Sequence, residues 1–238
     1  MANTYFQFKQ FRVEQDQCAM KVCTDSCVFG AYIAVTGAQR VLDIGAGTGL
    51  LSLMVAQRST ASVDAVEINP EAQAQARENF AGSPWADRLL LHPLPLQQFA
   101  AQQHQPYDVI LSNPPFFLAS LKSDTAARNT AKHTGDLRFD DILQFAQQHL
   151  AAAGKLYLLL PPPEATYFQK AAEAYGLHLT ETVEVYTAVH GKCIRHIQTF
   201  AFAPVDAPPT SQFYIREADK VTYTPEFVAL LQPYYLHL

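Results

Sequence analysis

Three glycines at alternate positions in Asp43-Ile44-Gly45-Ala46-Gly47-Thr48-Gly49 constrain this chain most, because they close a short apolar run and open an apolar helical pattern. A strand that turns into a helix on such a loop is half of a βα unit. The loop also leaves backbone without Cβ atoms where a ligand can approach. The rest of the chain repeats the alternation. Residues 40–44 read as the strand before the loop and 50–57 as the helix after it. Residues 63–67 form a second strand, and a helix starts at Pro70, a residue suited to a first turn, and runs toward Phe80. Residues 88–92 and 107–112 are the third and fourth strands, with a short helical piece at 97–102 between them. After a long polar stretch come a helix at 139–152, a break at Gly154, a fifth strand at 155–160 stopped by the prolines at 161–163, and a helix to 175. The β-rich runs 177–188 and 195–203, with no helix between them, make a hairpin on the sheet's edge with one strand antiparallel. The expectation is an α/β fold: a mostly parallel, seven-stranded, doubly wound sheet with an antiparallel edge strand. Residues 5–13 are expected outside that sheet, and 204–238 pack on the body as a strand and a short helix. One domain, 1–238, accounts for the chain, with an N-terminal cap at 1–37, the core at 38–203 and a C-terminal extension at 204–238.

At 238 residues, 49% of them hydrophobic, the chain can bury a substantial core, which excludes a disordered protein. No run of about 18 apolar residues occurs, so no membrane-spanning helix is expected. Residues 1–10 lack the layout of a signal peptide, and the cytoplasm is the expected location. A formal net charge of -5 gives no bulk attraction for nucleic acid, so a polyanion must be held by a local patch. In the polar stretch Lys122, Arg128, Lys132 and Arg138 outnumber Asp124 and Asp136, with His133 among them. They make either such a patch or a solvated loop of mixed charge. The four cysteines, Cys18, Cys23, Cys27 and Cys193, hold no Cys-x-x-Cys pair and read as reduced thiols, and the histidines lack metal-ligand spacing. No metal is expected.

Ligands of open α/β sheets bind beyond the carboxyl ends of the strands. Glu67 ends the second strand about twenty residues after the glycines, where a carboxylate accepts from ribose hydroxyls. A dinucleotide and S-adenosylmethionine both fit that far. The spacing separates them. Dinucleotide loops run G-x-G-x-x-G with a helix N-terminus aimed at a pyrophosphate, whereas here the pattern is G-x-G-x-G and Asp43 stands two residues ahead of the first glycine. A carboxylate there repels a pyrophosphate and suits a sulfonium cation and an α-amino group, directly, through a water or by fixing the loop. Upstream, Thr24 or Asp25 reads as the N-cap of an apolar helix at 27–35. The same stretch can instead set Lys21 and Thr24 beside the carboxylate of the donor.

Asn113-Pro114-Pro115-Phe116 follows the fourth strand. The Asn113 side-chain carbonyl and the Pro114 backbone carbonyl can both accept from a planar NH₂ group. The prolines stiffen the turn, and Phe116, with Phe117 behind it, offers a face for stacking a base. An exocyclic adenine amine is a poor nucleophile because its lone pair is delocalised into the ring. Two acceptors favour the tetrahedral, localised form reached in the transition state. Without a ligand, the same residues make a proline-rich turn backed by aromatics.

On these residues the chain resembles the class I methyltransferases, and within them the bacterial tRNA (adenine-N6)-methyltransferases that modify adenosine 37 of valine tRNA. The resemblance covers most of the chain: Phe-Gln-Phe-Lys-Gln-Phe at 6–11, Cys-Ala-Met-Lys-Val-Cys-Thr-Asp at 18–25, the glycine loop, Ser-Pro-Trp-Ala at 83–86, residues 112–116 and the closing 223–236. It implies a Rossmann-like class I fold with S-adenosylmethionine bound by Lys21, Thr24, Asp43, Gly45, Gly47, Gly49, Glu67 and Asn113. It further implies a target amine held at Asn113, Pro114, Pro115 and Phe116, with tRNA as the partner. Two positions depart from the family's pattern. After the third strand, Pro93-Leu94-Pro95-Leu96 holds no Asp for the donor's adenine, which leaves backbone groups or Gln97 to read it, and Phe116 stands where Tyr is common. The Asn-Pro-Pro-aromatic motif also serves methyltransferases of rRNA bases and of protein glutamine, which are the alternatives within the class. An NAD-dependent oxidoreductase and a non-catalytic binding module are the alternatives outside it. The glycine spacing, and the lack of a hydride-site His or Lys after the fourth strand, weigh against the oxidoreductase.

Overall fold

The alternation of strand and helix winds the chain back and forth across one large sheet, so that the turns after successive strands collect at one edge. In the computed structural model, the structure describes residues 3–18, 21–102, 105–114 and 137–238. Two short strands, β1 (Tyr5–Gln7) and β2 (Arg12–Glu14), pair antiparallel in a sheet of their own. The large sheet holds β3 (Arg40–Ile44), β4 (Ser62–Val66), β5 (Leu89–His92), β6 (Tyr107–Ser112), β7 (Leu150–Leu160), β8 (His178–Tyr186), β9 (Cys193–Ala201) and β10 (Thr210–Tyr214). Their order is β10-β8-β9-β7-β6-β3-β4-β5. The helices are α1 (Thr24–Tyr32), α2 (Leu50–Arg58), α3 (Pro70–Ala81), α4 (Leu96–Ala100), α5 (Phe139–His149), α6 (Pro162–Ala172) and α7 (Pro225–Leu231).

The α/β, mostly parallel sheet is the expected one, with two differences of detail. It has eight described strands, not seven, because β10 from the C-terminal extension pairs in parallel with β8, from Thr210↔Thr182 to Tyr214↔Tyr186. The antiparallel strand is also not at the edge. It is β9, antiparallel to both β7 and β8 and enclosed between them. Ile197, Gln198, Thr199 and Phe200 of β9 are all buried, as an interior strand covered on both faces requires. A third difference lies at the end of α5. The helix stops at His149, and the alanines that follow join β7 instead of continuing it. The pairing of β7 with β6 slips between Tyr107↔Leu150 and Val109↔Lys155. Gly154 sits in the slip, where a Cβ would lie 2.9 Å from the Tyr107 carbonyl oxygen.

Side chains of successive strand residues point to opposite faces, and the sheet accordingly divides two cores. Val41, Val63, Val109 and Leu111 pack with α1, α2 and α7; Leu42, Ile110, Leu156 and Leu158 pack with α4, α5 and α6. In α5 the buried residues Phe139, Ile142, Leu143 and Ala146 follow helical spacing. Asn69 caps α3 through Oδ1, which accepts from the Ala72 N–H at 2.9 Å, and Pro70 takes the first turn. Among the described residues no helix is long and apolar enough to cross a membrane.

Candidate active site

The register of the sheet brings the two sequence motifs together. In the β3–β6 pair Ile44 faces Ser112, so Gly45 and Asn113, the next residue on each strand, leave neighbouring strands side by side, about 4.8 Å apart. Buried Ser112 pins this junction by donating from Oγ to the Ile44 carbonyl at 2.8 Å.

The glycine loop is held open by residues on both sides of it. Gly49 has φ +80, and a Cβ there would meet the Phe80 ring at 2.4 Å, so a glycine is required for both reasons. Gly47, at φ +56, has nothing among the described residues within 4 Å of the space a Cβ would fill. The carboxylate of Glu67 accepts from the Gly47 N–H at 2.8 Å with Oε2, and from the Ile68 and Asn69 N–H groups at 2.9 and 2.8 Å with Oε1. Asp43 is fully buried, with Oδ2 accepting from the Ser52 N–H at 3.1 Å and the Ser52 hydroxyl at 2.7 Å. Those bonds serve the otherwise free amides at the start of α2. Its Oδ1 is buried without a hydrogen-bond partner among the described residues. Burial pushes the Asp43 pKa up to about 7, outweighing the lowering effect of the Ser52 bonds.

Helix α1 begins at Thr24, not at the expected residue 27, and its N-cap is Cys23 rather than Thr24 or Asp25. The earlier start follows from Asp25, whose Oδ1 takes the Ser26 N–H at 3.0 Å and so satisfies an amide of the first turn from within the helix. Thr24 is half-buried at the start of α1. Lys21 is exposed, and its ammonium donates to the Gln15 carbonyl. The segment carrying Lys21 lies beside the glycine loop because α3 ties it there. Asn79 accepts from the Glu14 N–H at 2.7 Å and donates to the Glu14 and Thr48 carbonyls at 3.0 and 2.9 Å. Gln75 accepts from the Gln17 N–H at 2.9 Å.

Asn113 is half-buried, and its Nδ2 donates to Ser26 Oγ at 2.9 Å. That leaves Oδ1 without a hydrogen bond among the described residues. Pro114 is buried. Pro115 and Phe116, and Lys122, Arg128 and Lys132 of the basic stretch, lie outside the described residues. Arg138, the remaining member of that stretch, is exposed and pairs with Asp141 at 3.6 Å. At the end of β5 the Leu94 N–H donates to the His92 carbonyl at 3.0 Å, and Gln97 lines a groove with Asp141, Gln144 and Gln148 of α5. Ser26, Ser52, Gln75 and Asn79 carry this arrangement and were not singled out by the sequence. Ser52 bonds Asp43 nine positions away, but the partners of Ser26, Gln75 and Asn79 lie 31 to 87 positions off, and nothing local marks such contacts.

A glycine turn, an acid on the next strand and an Asn-Pro turn, meeting at the carboxyl edge of this sheet, define a methyltransferase of class I type. A family model described as the methyltransferase small domain matches residues 19–162. The fold is also that of a predicted O-methyltransferase from Agrobacterium tumefaciens, with a TM-score of 0.62 over 88% of this chain and 96% of that one, at 18% identity. Over 100% of both chains, this one is 45% identical to the tRNA1(Val) (adenine(37)-N6)-methyltransferase of Cytophaga hutchinsonii. It is also 45% identical, over 98% of each chain, to the protein so named from Dyadobacter fermentans. The chain belongs to the family of the tRNA1(Val) (adenine(37)-N6)-methyltransferases.

Proposed function

We propose that this chain transfers a methyl group from S-adenosylmethionine to the exocyclic N6 of adenosine 37 in valine tRNA, working as one domain in the cytoplasm. The observation that carries the reading is the Asn113 carboxamide, tied through Nδ2 to Ser26 with Oδ1 left for an amine, one strand away from the open glycine loop.

The residues present fit the donor. The space over Gly47 admits close approach of a ligand to the backbone. Glu67 uses three of roughly four acceptor positions on backbone N–H groups, leaving capacity for a ribose hydroxyl. The unpartnered, buried Oδ1 of Asp43 suits a cation. Gly45, Gly49, Lys21 and Thr24 complete the proposed donor site, and Ile68, 42% exposed beside Glu67, offers an apolar face to its base. When bound, S-adenosylmethionine supplies a methyl group on a positively charged sulfur, an electrophile that needs no metal.

At the other side, Asn113 Oδ1 and the Pro114 carbonyl accept the two amine hydrogens. They hold the nitrogen in line and favour its localised lone pair as positive charge develops there. Phe116 stacks on the extruded base. Lys122, Arg128, Lys132 and Arg138 form the local basic patch that holds the tRNA despite the net charge of -5. The test is incubation of the protein with labelled donor and with tRNA lacking its own modification, followed by mapping of the label. Label at adenosine 37 of valine tRNA is expected. Label confined to other positions, or to ribosomal RNA or protein offered alongside, would overturn the reading.

A further inference from the structure

We infer that Ser26 is the positioning residue for Asn113, selecting which end of its carboxamide faces the target amine; this deepens the methyl-transfer reading above and rests on it. Ser26 lies in the first turn of α1, 5% exposed, and its Oγ receives Asn113 Nδ2 at 2.9 Å across 87 positions of sequence. A carboxamide has two ends of nearly the same shape, and only the carbonyl end can accept from an amine. Its terminal torsion is broad and roughly two-fold, so an untethered Asn113 would present either end.

In the structure the NH₂ end is the one taken by Ser26 Oγ, which acts as the acceptor. Cys23 Sγ lies 3.0 Å from Ser26 Oγ, and either atom of that pair can be the donor. A hydroxyl has one hydrogen and two lone pairs. When Ser26 gives its hydrogen to the sulfur, its lone pairs are what remain for Asn113, and the NH₂ group is the end they take. Oδ1 is then turned to the side where an amine must bind. The turn that carries Ser26 is itself held from two further sides. Asp25 Oδ1 accepts the Ser26 N–H at 3.0 Å, and Asp25 Oδ2 pairs with Arg195 Nε of β9 at 2.9 Å. On the other flank α1 packs against α7 of the C-terminal segment. Ser26 touches no reacting atom and acts through Asn113.

The experiment compares the wild type with Ser26→Ala, Ser26→Thr, Asn113→Ala and the Ser26→Ala/Asn113→Ala double variant. It measures kcat and KM on unmodified valine tRNA, and S-adenosylmethionine binding by calorimetry. Ser26→Ala is expected to lower kcat about tenfold with donor Kd within about twofold of wild type. Ser26→Thr, which keeps the hydroxyl, recovers most of the rate, and the double variant is no slower than Asn113→Ala alone, as expected when one residue works through the other. An unchanged kcat in Ser26→Ala overturns the inference. So does a Ser26 loss that adds in full to that of Asn113→Ala, or a loss of donor affinity as large as the loss of rate. A wild-type protein that binds the donor yet leaves valine tRNA unmethylated overturns the functional reading instead, and this inference with it.

Discussion

Asp43 is set by its surroundings to respond to pH, and in the proposed donor site to a bound cation as well. One carboxylate oxygen serves the first turn of α2 through Ser52, and the other is buried without a partner. Burial moves its pKa from 3.8 to about 7. Between those values the native state keeps a proton that the unfolded chain has lost. The contribution of this group to stability is therefore greatest below the lower value, falls as pH rises through the window, and levels off above about 7. A cation beside Oδ1 favours the ionised form, so its binding has the opposite slope. The S-adenosylmethionine Kd, measured by calorimetry, is predicted to rise about tenfold from pH 8 to pH 6. Asp43→Asn, which keeps an acceptor for Ser52 but not the charge, should bind weakly at both. A wild-type affinity flat across that range would remove the ionised carboxylate from the donor site. Glycines, Glu67 and Asp43 were legible in the sequence because their residue types and spacing are local. The bonds of Asp43 to Ser52 and of the Thr48 carbonyl to Asn79 were not, because these are matters of packing.

The strand-to-helix turn between β3 and α2 is the element on which the site is built, and Gly49 is its tightest point. With φ +80 and Phe80 2.4 Å from any added Cβ, Gly49→Ala must strain the backbone and displace the ring. A loss of about 1–3 kcal/mol is expected, seen as a lowered Tm; a Tm equal to wild type would show that the turn relaxes at no cost. Strands β3 and β6 have the bounds expected from their apolar runs, because central parallel strands leave a continuous hydrophobic signature. The end of α5 was misread for a physical reason. Ala151, Ala152 and Ala153 favour a helix, but the pairing of β7 with β6 overrides that preference and leaves Gly154 in the slip. The place of β9 inside the sheet was equally hidden. A short hairpin connection requires an antiparallel pair, yet nothing in the hairpin itself says which of its strands lies inward or that β10 will cover the other.

At the scale of the whole molecule, the two ends of the chain close over the side of the sheet that carries α1 and α2. Phe8 bridges to Tyr235, the Lys9 N–H donates to the Tyr234 carbonyl at 2.8 Å, and Phe8 and Phe11 stack at 4.4 Å with Trp85 edge-on to Phe11 at 5.8 Å. The aromatic residues at 6–11, Trp85 and the closing segment thus act as a clasp. They hold the helix bearing Ser26 against the edge that bears Asn113. The proposed function makes one chemical commitment: the acceptor oxygens at Asn113 and Pro114 would address an amine outside the ring, not a ring nitrogen or carbon. The most direct test is to digest valine tRNA after reaction and identify the methylated nucleoside by mass spectrometry against standards. N6-methyladenosine, formed at least about tenfold more slowly by Asn113→Ala, is the predicted product. Methylation at a ring atom of adenine by the wild-type protein would contradict the account.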